Sequence, residues 1–288
     1  MNPPSAKSTV VTTWVETLGG RADTGQAPAQ KPGDGYVQSF ARGLAVIRSF
    51  SAQAPEQTLS AVAAATGLTR AGARRILLTL QTLGYVKSDG KYYQLTPRIM
   101  ELGFAYLSST PLWNLAEPVM ERLSDEIRES CSAAVLDGDE IVYVLRVHTH
   151  KIMSTNLSVG SRLPACWTSM GRVLLASESD ESLRALLAAR DRRRFTALTE
   201  QDDEKLLQRI LEVRAQGWAL VDQELEEGLI SIAAPVKNGA GRTVAALNIS
   251  GQANRNSVQM MRELLLPQLL AATQHISQLL RASGRMQL

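Results

Sequence analysis

Residues 58–95, TLSAVAAATGLTRAGARRILLTLQTLGYVKSDGKYYQL, constrain this chain more than any other stretch, because they pack two short helical patterns and a hairpin into a span too small for an enzyme. Leu59, Val62 and Ala63 recur at helical spacing behind Thr58, whose hydroxyl is placed to cap the first free backbone N–H groups. Gly67 can end that helix in a left-handed conformation, Leu68 supplies the apolar contact that follows, and Thr69 is a second N-cap. The spacing predicts a second helix from about residue 70 to 83, with Ala73, Ile76, Leu77, Leu80 and Leu83 on its core side. Arg74 and Arg75 fall toward the other side and Arg70 near its edge. All three lie in the first turns, where a recognition helix presents side chains to base edges in the major groove. Residues 85–87 and 91–95 flank Ser88, Asp89 and Gly90, and Asp-Gly between alternating residues is a strong hairpin signal. Arginines on a helix are commonly only a solvated face. The hairpin decides the matter, because Lys87 and Lys91 set a second basic element beside the first. The stretch reads as a winged helix-turn-helix whose partner is double-stranded operator DNA, with Thr69, Arg70, Arg74, Arg75, Lys87 and Lys91 as the contacting residues.

The rest of the chain has to be compatible with that reading. At 288 residues and 44% hydrophobic content there is room for a second domain with a sizeable core. A net charge of +3 is too small for a general polyanion binder, so DNA binding must rest on local charge. Cys131 and Cys166 are the only cysteines and lack metal-ligand spacing, which excludes a disulfide scaffold and fits a reducing cytoplasm. Neither a membrane-length apolar run nor a signal-peptide pattern is present, so a cytoplasmic protein with no membrane partner is expected. Phosphate-cradling glycine loops, a Gly-x-Ser-x-Gly elbow and a His-Glu-x-x-His helix are all missing, which makes an enzyme the weaker class and calls for no cofactor.

The expected organisation runs in four parts. Residues 1–35, rich in Pro, Gly, Ala, Thr and Gln, form a disordered arm. Residues 36–95 are the DNA-binding domain, opened by an amphipathic helix in which Phe40, Leu44, Ile47 and Phe50 form the stripe. A linker helix occupies residues 96–110, starting at Thr96-Pro97. It carries two apolar stripes, Met100, Gly103, Phe104 and Leu107 on one and Ile99, Leu102 and Tyr106 on the other, so that one packing partner cannot cover both. Residues 111–288 are an effector-binding domain. It begins with a helix that Pro118 can kink and continues with a hairpin over residues 133–147. Strands follow at 152–157, 218–222, 230–236 and 243–249, helices near 169–177, 180–189 and 200–216, and a last helix from about residue 257 to 280 that Pro267 can bend. The fold class is α+β, with an antiparallel-rich sheet flanked by helices.

Two stretches of that domain suit a small acid. Residues 154–177 set Ser154 and Asn156 at a strand end and then Thr168 and Ser169 at the start of an apolar helix, where free N–H groups hold an anion or the threonine merely caps its own helix. In DQELEEGLISIAAPV, Asp222, Glu224, Glu226 and Glu227 precede Gly228 and a strand whose Ser231 can point inward; some of these acids are solvent-facing. Asn248 and Ser250 on the last strand complete a set of hydroxyls and amides, and Trp167 and Met170, which flank the helix start, are carried with them. His148 and His150 alternate on one strand, a spacing more often solvated than metal-binding.

From about Val37 onward the chain resembles the IclR-type transcriptional regulators, through SFARGLAVIRSF, TRAGARRILLTLQTLGYV, LTPRIMELGFAYLSSTPL, VGSRLPACWTSMGRVLLA, VRAQGWALVDQELEEGLISIAAPV and VAALNIS. The last four are similar to the subgroup that controls protocatechuate and 4-hydroxybenzoate catabolism. The resemblance implies a homodimer or homotetramer, a linker helix and a GAF-like effector domain that binds a small organic acid. The expected function is a ligand-responsive regulator of aromatic-acid catabolic genes, sensing an aromatic or dicarboxylic acid. The alternatives are a redox or metal sensor built on Cys131, Cys166, His148 and His150, or an enzyme domain fused to a DNA reader.

Overall fold

The structure, a computed structural model, describes Gly33 and residues 35–148 and 157–283. It forms two compact units, one ending at Ser109 and the other beginning at Thr110. The arm expected over residues 1–35 (Gly33 and Gly35 apart), the strand expected at 152–157 (Leu157 apart), Ser154, Asn156 and His150 lie outside the described residues.

The first unit runs α1 (Gln38–Arg48), β1 (Glu56–Thr58), α2 (Leu59–Thr66), α3 (Arg70–Thr82), β2 (Val86–Ser88), β3 (Tyr92–Leu95), a 3₁₀ turn (Pro97–Ile99) and α4 (Met100–Ser109). Thr58 Oγ1 accepts from the Ala61 N–H at 3.2 Å and Thr69 Oγ1 from the Gly72 N–H at 3.1 Å, so both helices start on the threonines that the sequence offers as caps. Gly67 ends α2 at φ 64°, and the Leu68 N–H bonds back to the Ala63 carbonyl. Val46, Val62, Ala63, Ala73, Leu77, Leu80 and Val86 make the core.

Three details depart from the pattern reading. A strand not foreseen in sequence, β1, pairs with β3 and widens the hairpin into a sheet of order β1-β3-β2. Only the last turn of α1 and the residues after it reach the core, through Val46, Ile47 and Phe50, which leaves Phe40 and Leu44 exposed. Leu83, expected on the core stripe, is the C-cap of α3 and half exposed, because each i+3 step turns about 60° around the helix and carries it past Leu80 to the edge of that stripe; its carbonyl accepts from the Arg98 guanidinium at 2.9 Å. Thr96 likewise does not cap the following helix; its hydroxyl donates to the Gly84 carbonyl.

In the second unit α5 (Leu112–Ile127) precedes the hairpin β4 (Ser130–Asp137) and β5 (Glu140–Val147), and then come β6 (Arg162–Pro164), a 3₁₀ turn (Ala165–Trp167), α6 (Ser169–Leu175), α7 (Asp180–Ala189), α8 (Asp203–Gln216), β7 (Ala219–Asp222), β8 (Leu229–Lys237) and β9 (Thr243–Gln252). A short helical turn (Val258–Met260) and a π-helical segment (Met261–Leu265) lead into α9 (Leu266–Ala282). The irregular turn falls just before Pro267, which has no N–H to give the preceding ladder. All pairings in the six-stranded sheet, of order β6-β5-β4-β9-β8-β7, are antiparallel. α6 packs against strands β4, β7, β8 and β9, while α9 packs against α5, β8 and β9.

Replacing Thr69 by Ala removes the acceptor for the Gly72 N–H and is expected to lower the stability of the first unit by about 1 kcal/mol in denaturant unfolding, with Thr69→Ser close to wild type.

Candidate functional site

In the first unit the six residues expected to meet DNA are all exposed. Arg74 and Arg75 stand on α3 away from the buried Ala73, Leu77 and Leu80, while Arg70, in the first turn, lies on the side of Leu77. Thr69 accepts from its own helix and keeps its hydroxyl hydrogen to donate outward. Lys87 and Lys91 flank the wing turn, where the Asp89 carboxylate accepts from the Lys91 N–H at 2.9 Å and the Tyr92 N–H at 2.7 Å, bonds that hold its carboxyl below the usual range. The Lys91 ammonium lies 5.0 Å from the centre of the Tyr92 ring. Gly90, at φ 100°, supplies the turn conformation that other residues avoid.

In the second unit the start of α6 is fixed by a close approach. A Cβ on Gly171 would lie 2.1 Å from the Ala165 carbonyl oxygen, so the 3₁₀ turn can cross the helix only over a glycine. Thr168 is committed to that junction: its hydroxyl accepts from the Gly171 N–H at 3.1 Å and donates to the Ala165 carbonyl at 3.3 Å. It is a cap, and Ser169 is the hydroxyl that reaches the sheet, sharing a 2.9 Å hydrogen bond with Ser231. Trp167 is buried, donates to the Glu200 carbonyl at 2.9 Å and meets Phe195 edge-on with ring centroids 5.2 Å apart; Met170 is buried beside it in sequence.

Register shows which polar groups share the α6 face. Directly paired residues in an antiparallel sheet point to the same side. One row therefore holds Val221, Ser231, Ser250 and Ser130, and the next, two residues along, holds Ala233, Asn248, Ser132 and Arg146. Ser231, Asn248 and Ser132 are buried, and two of their polar atoms, Asn248 Oδ1 and Ser132 Oγ, have no hydrogen-bond partner among the described residues. Arg146 stands over the Tyr143 ring at 6.0 Å, and burial disfavours its charged form relative to water. Ser132 and Arg146 were missed in sequence. An unbroken hairpin from the Asp137–Glu140 turn would set Leu145 opposite Ser132, but a bulge at this point sets Arg146 there instead.

Two expected ligand residues turn out otherwise. Asp222 pairs with Ile230, which puts it on the opposite face from Ser231. Glu224 is buried and held by the Arg172 guanidinium through two bonds of 2.9 and 2.7 Å and by Arg209 at 3.0 Å. Its charge is already matched, and a carboxylate ligand would be repelled by it. Glu226, nearby in sequence, has its carboxyl pushed up by burial.

The chemistry left for the alternatives is thin. Both thiols are buried and desolvation pushes them up, Cys166 to about 11, which keeps them protonated and poorly nucleophilic at neutral pH. Among the described residues no three His, Cys, Asp or Glu side chains converge as metal ligands.

A winged helix-turn-helix in the same chain as a separate unit with a buried, incompletely bonded polar row defines a ligand-responsive transcriptional regulator. Residues 39–90 match the IclR helix-turn-helix domain and residues 104–278 the bacterial transcriptional regulator IclR C-terminal domain, and the chain belongs to this family, whose members are regulators and not enzymes. It is 46% identical to the Pca regulon regulatory protein of Pseudomonas putida, over 84% of this chain and 83% of that one. A transcriptional regulator structure from Rhodococcus sp. RHA1 is 50% identical with a TM-score of 0.78, covering 87% of this chain and 100% of the other. An IclR homologue from Microbacterium hydrocarbonoxydans, solved with 4-hydroxybenzoate, is 26% identical with a TM-score of 0.74, covering 85% and 99%.

Opening the buried pair tests the packing of α6. Glu224→Gln is expected to cost about 3 kcal/mol or more in chemical unfolding, because it leaves the Arg172 charge buried and under-compensated, whereas Arg172→Met with Glu224→Met recovers much of that loss.

Proposed function

We propose that this regulator controls genes of aromatic-acid breakdown by binding a small aromatic acid, of the 4-hydroxybenzoate or protocatechuate kind, on the sheet face that α6 covers. The observation that carries this reading is the pair of buried orphans, Asn248 Oδ1 and Ser132 Oγ, in a row that ends at Arg146. A buried polar group without a partner costs about 1–3 kcal/mol, a deficit that a ligand with matching groups removes. The Arg146 guanidinium suits a carboxylate, and the Asn248 acceptor suits a phenolic O–H. Among the described residues the row holds no second cation to meet a second carboxylate, which favours a hydroxylated aromatic monoacid over a dicarboxylate. The P. putida relative and the 4-hydroxybenzoate complex of the M. hydrocarbonoxydans homologue support the same class.

Ser169, Ser231 and Ser250 lie in or against the neighbouring row and complete the site, with Trp167, Thr168 and Met170 as its structural margin; Ser154 and Asn156 belong to it by sequence alone. The DNA-reading role falls to Arg74 and Arg75 at base edges, with Thr69, Arg70, Lys87 and Lys91 on phosphates, in a cytoplasmic protein. Among the described residues no helix is long and apolar enough to cross a membrane. Met100 at 73% exposure and Phe104 at 68% on one stripe of α4, with Leu102 and Tyr106 exposed on the other, support a homodimer or homotetramer that presents paired winged helices to a pseudo-palindromic operator.

Calorimetry with protocatechuate, 4-hydroxybenzoate, β-ketoadipate and terephthalate tests the ligand. One of the aromatic monoacids is expected to bind, and Arg146→Met or Asn248→Leu to weaken it by about tenfold or more, the scale of one lost charge-assisted or buried hydrogen bond. Without ligand, Asn248→Leu should be at least as stable as wild type. Binding of none of the four refutes the acid class, and wild-type affinity in both variants refutes the site.

Assembly has its own test. Met100→Glu with Phe104→Glu is expected to move the protein to monomer in sedimentation velocity and to weaken operator binding by about a hundredfold, the scale on which linking two half-site contacts acts.

A further inference from the structure

The outward face of α3 carries more than its arginines. Ala71, Arg75, Leu78 and Thr82 follow one another at i, i+4, i+7 and i+11, directly opposite the buried Ala73, Leu77 and Leu80, and all four are exposed. Leu78 is 40% exposed, an apolar side chain on the surface proposed above to face DNA. Around it the polar groups are withdrawn. The Thr79 hydroxyl donates to the Arg75 carbonyl and the Thr82 hydroxyl to the Leu78 carbonyl, each at 2.9 Å, so both threonines spend their O–H on the helix. Beyond Arg75 the outward surface is therefore aliphatic, next to two guanidinium groups that match a polyanion in charge.

We infer that Leu78 reads the 5-methyl group of a thymine next to the base pair that Arg75 contacts. The inference rests on the DNA-reading role proposed above for α3. In the major groove only thymine offers a methyl group, and an aliphatic side chain is its natural complement, whereas a guanidinium takes the paired acceptors of guanine. The distances agree: at about 1.5 Å of rise per residue Leu78 lies about 4.5 Å past Arg75 along the helix, a little over one base-pair step of about 3.4 Å. The half-site it selects thus holds a guanine and a thymine within a step or two of each other.

The experiment uses the full chain. A site is first selected from randomised duplex DNA, and each of its thymines is then replaced in turn by deoxyuridine, which deletes the methyl group alone. Affinities are measured for wild type, Leu78→Ala and Leu78→Gln, with thermal melts to check that the variants, changed at an exposed position to good helix formers, remain folded. At one thymine in each half-site, loss of the methyl should weaken wild type about three- to fivefold, the scale of one buried methyl group, and leave both variants unaffected. The inference is overturned if no thymine responds, or if the same loss persists in both Leu78 variants. Failure of wild type to select any site would instead overturn the DNA-reading role itself, and the inference with it.

Discussion

The buried contact between Arg172 and Glu224 ties the second unit together. It joins α6 to the loop after β7 by two short charge-assisted bonds, and Arg209 of α8 closes on the same carboxylate while also reaching Glu200. The Arg172 guanidinium further donates to the Cys166 carbonyl at 2.8 Å, so the 3₁₀ turn ahead of α6 is held by the same side chain. Burying two charges costs several kcal/mol before they meet, and a pair of this kind contributes little net stability over an apolar core. What it contributes is position. With α6 only seven residues long, helix propensity cannot set its place, and the ion pair together with the Gly171 crossing leaves Ser169 one location against Ser231.

The second determinant of the site is a single extra residue in β5. A sheet alternates faces at every step, so one inserted residue exchanges the two faces for everything beyond it. The shift between Ala133 and Ala134 puts Arg146 rather than Leu145 across from Ser132 and brings a cation into the row of Asn248. The same alternation sends Asp222 to the far side, so the face that α6 covers carries hydroxyls, an amide and one guanidinium. That arrangement suits the ligand proposed above, an anion with a hydroxyl at its other end.

This explains how far the sequence could be read. Threonine caps at Thr58 and Thr69, the glycine stop at Gly67 and the Asp-Gly wing turn are local signals, each decided within a few residues, and each appears where the pattern puts it. That Ser231, Asn248 and Ser250 share a sheet face and that Ser169 stands at a helix start was also legible, since strand alternation and helix starts are short-range. What stayed hidden depends on distant partners. The strand β1 is three residues long and exists only because β3 offers it an edge. Leu83 follows Leu80 at helical spacing yet lies outside the core, because as the C-cap it sits at the edge of the buried stripe, and no distant element among the described residues packs over it. Glu224 looked like a ligand group by composition, and only the fold reveals two arginines already on it.

The orphaned groups also bound what an effector can do. A ligand shifts a two-state equilibrium only by the difference between its affinities for the two states. Groups already bonded within the protein, such as the Arg172–Glu224 network and the Thr168 cap, contribute to that difference only where a second state breaks their bonds. Asn248 Oδ1 and Ser132 Oγ are of the other kind, since a ligand that bonds them relieves about 1–3 kcal/mol at each, and a change of about 1.4 kcal/mol is tenfold in population. Two such groups supply enough to move a regulator between states by one to several powers of ten, provided the second state withdraws them from the ligand. For the effector proposed above, the sensitivity of such a switch follows how far the second state withdraws Asn248 and Ser132 from the ligand.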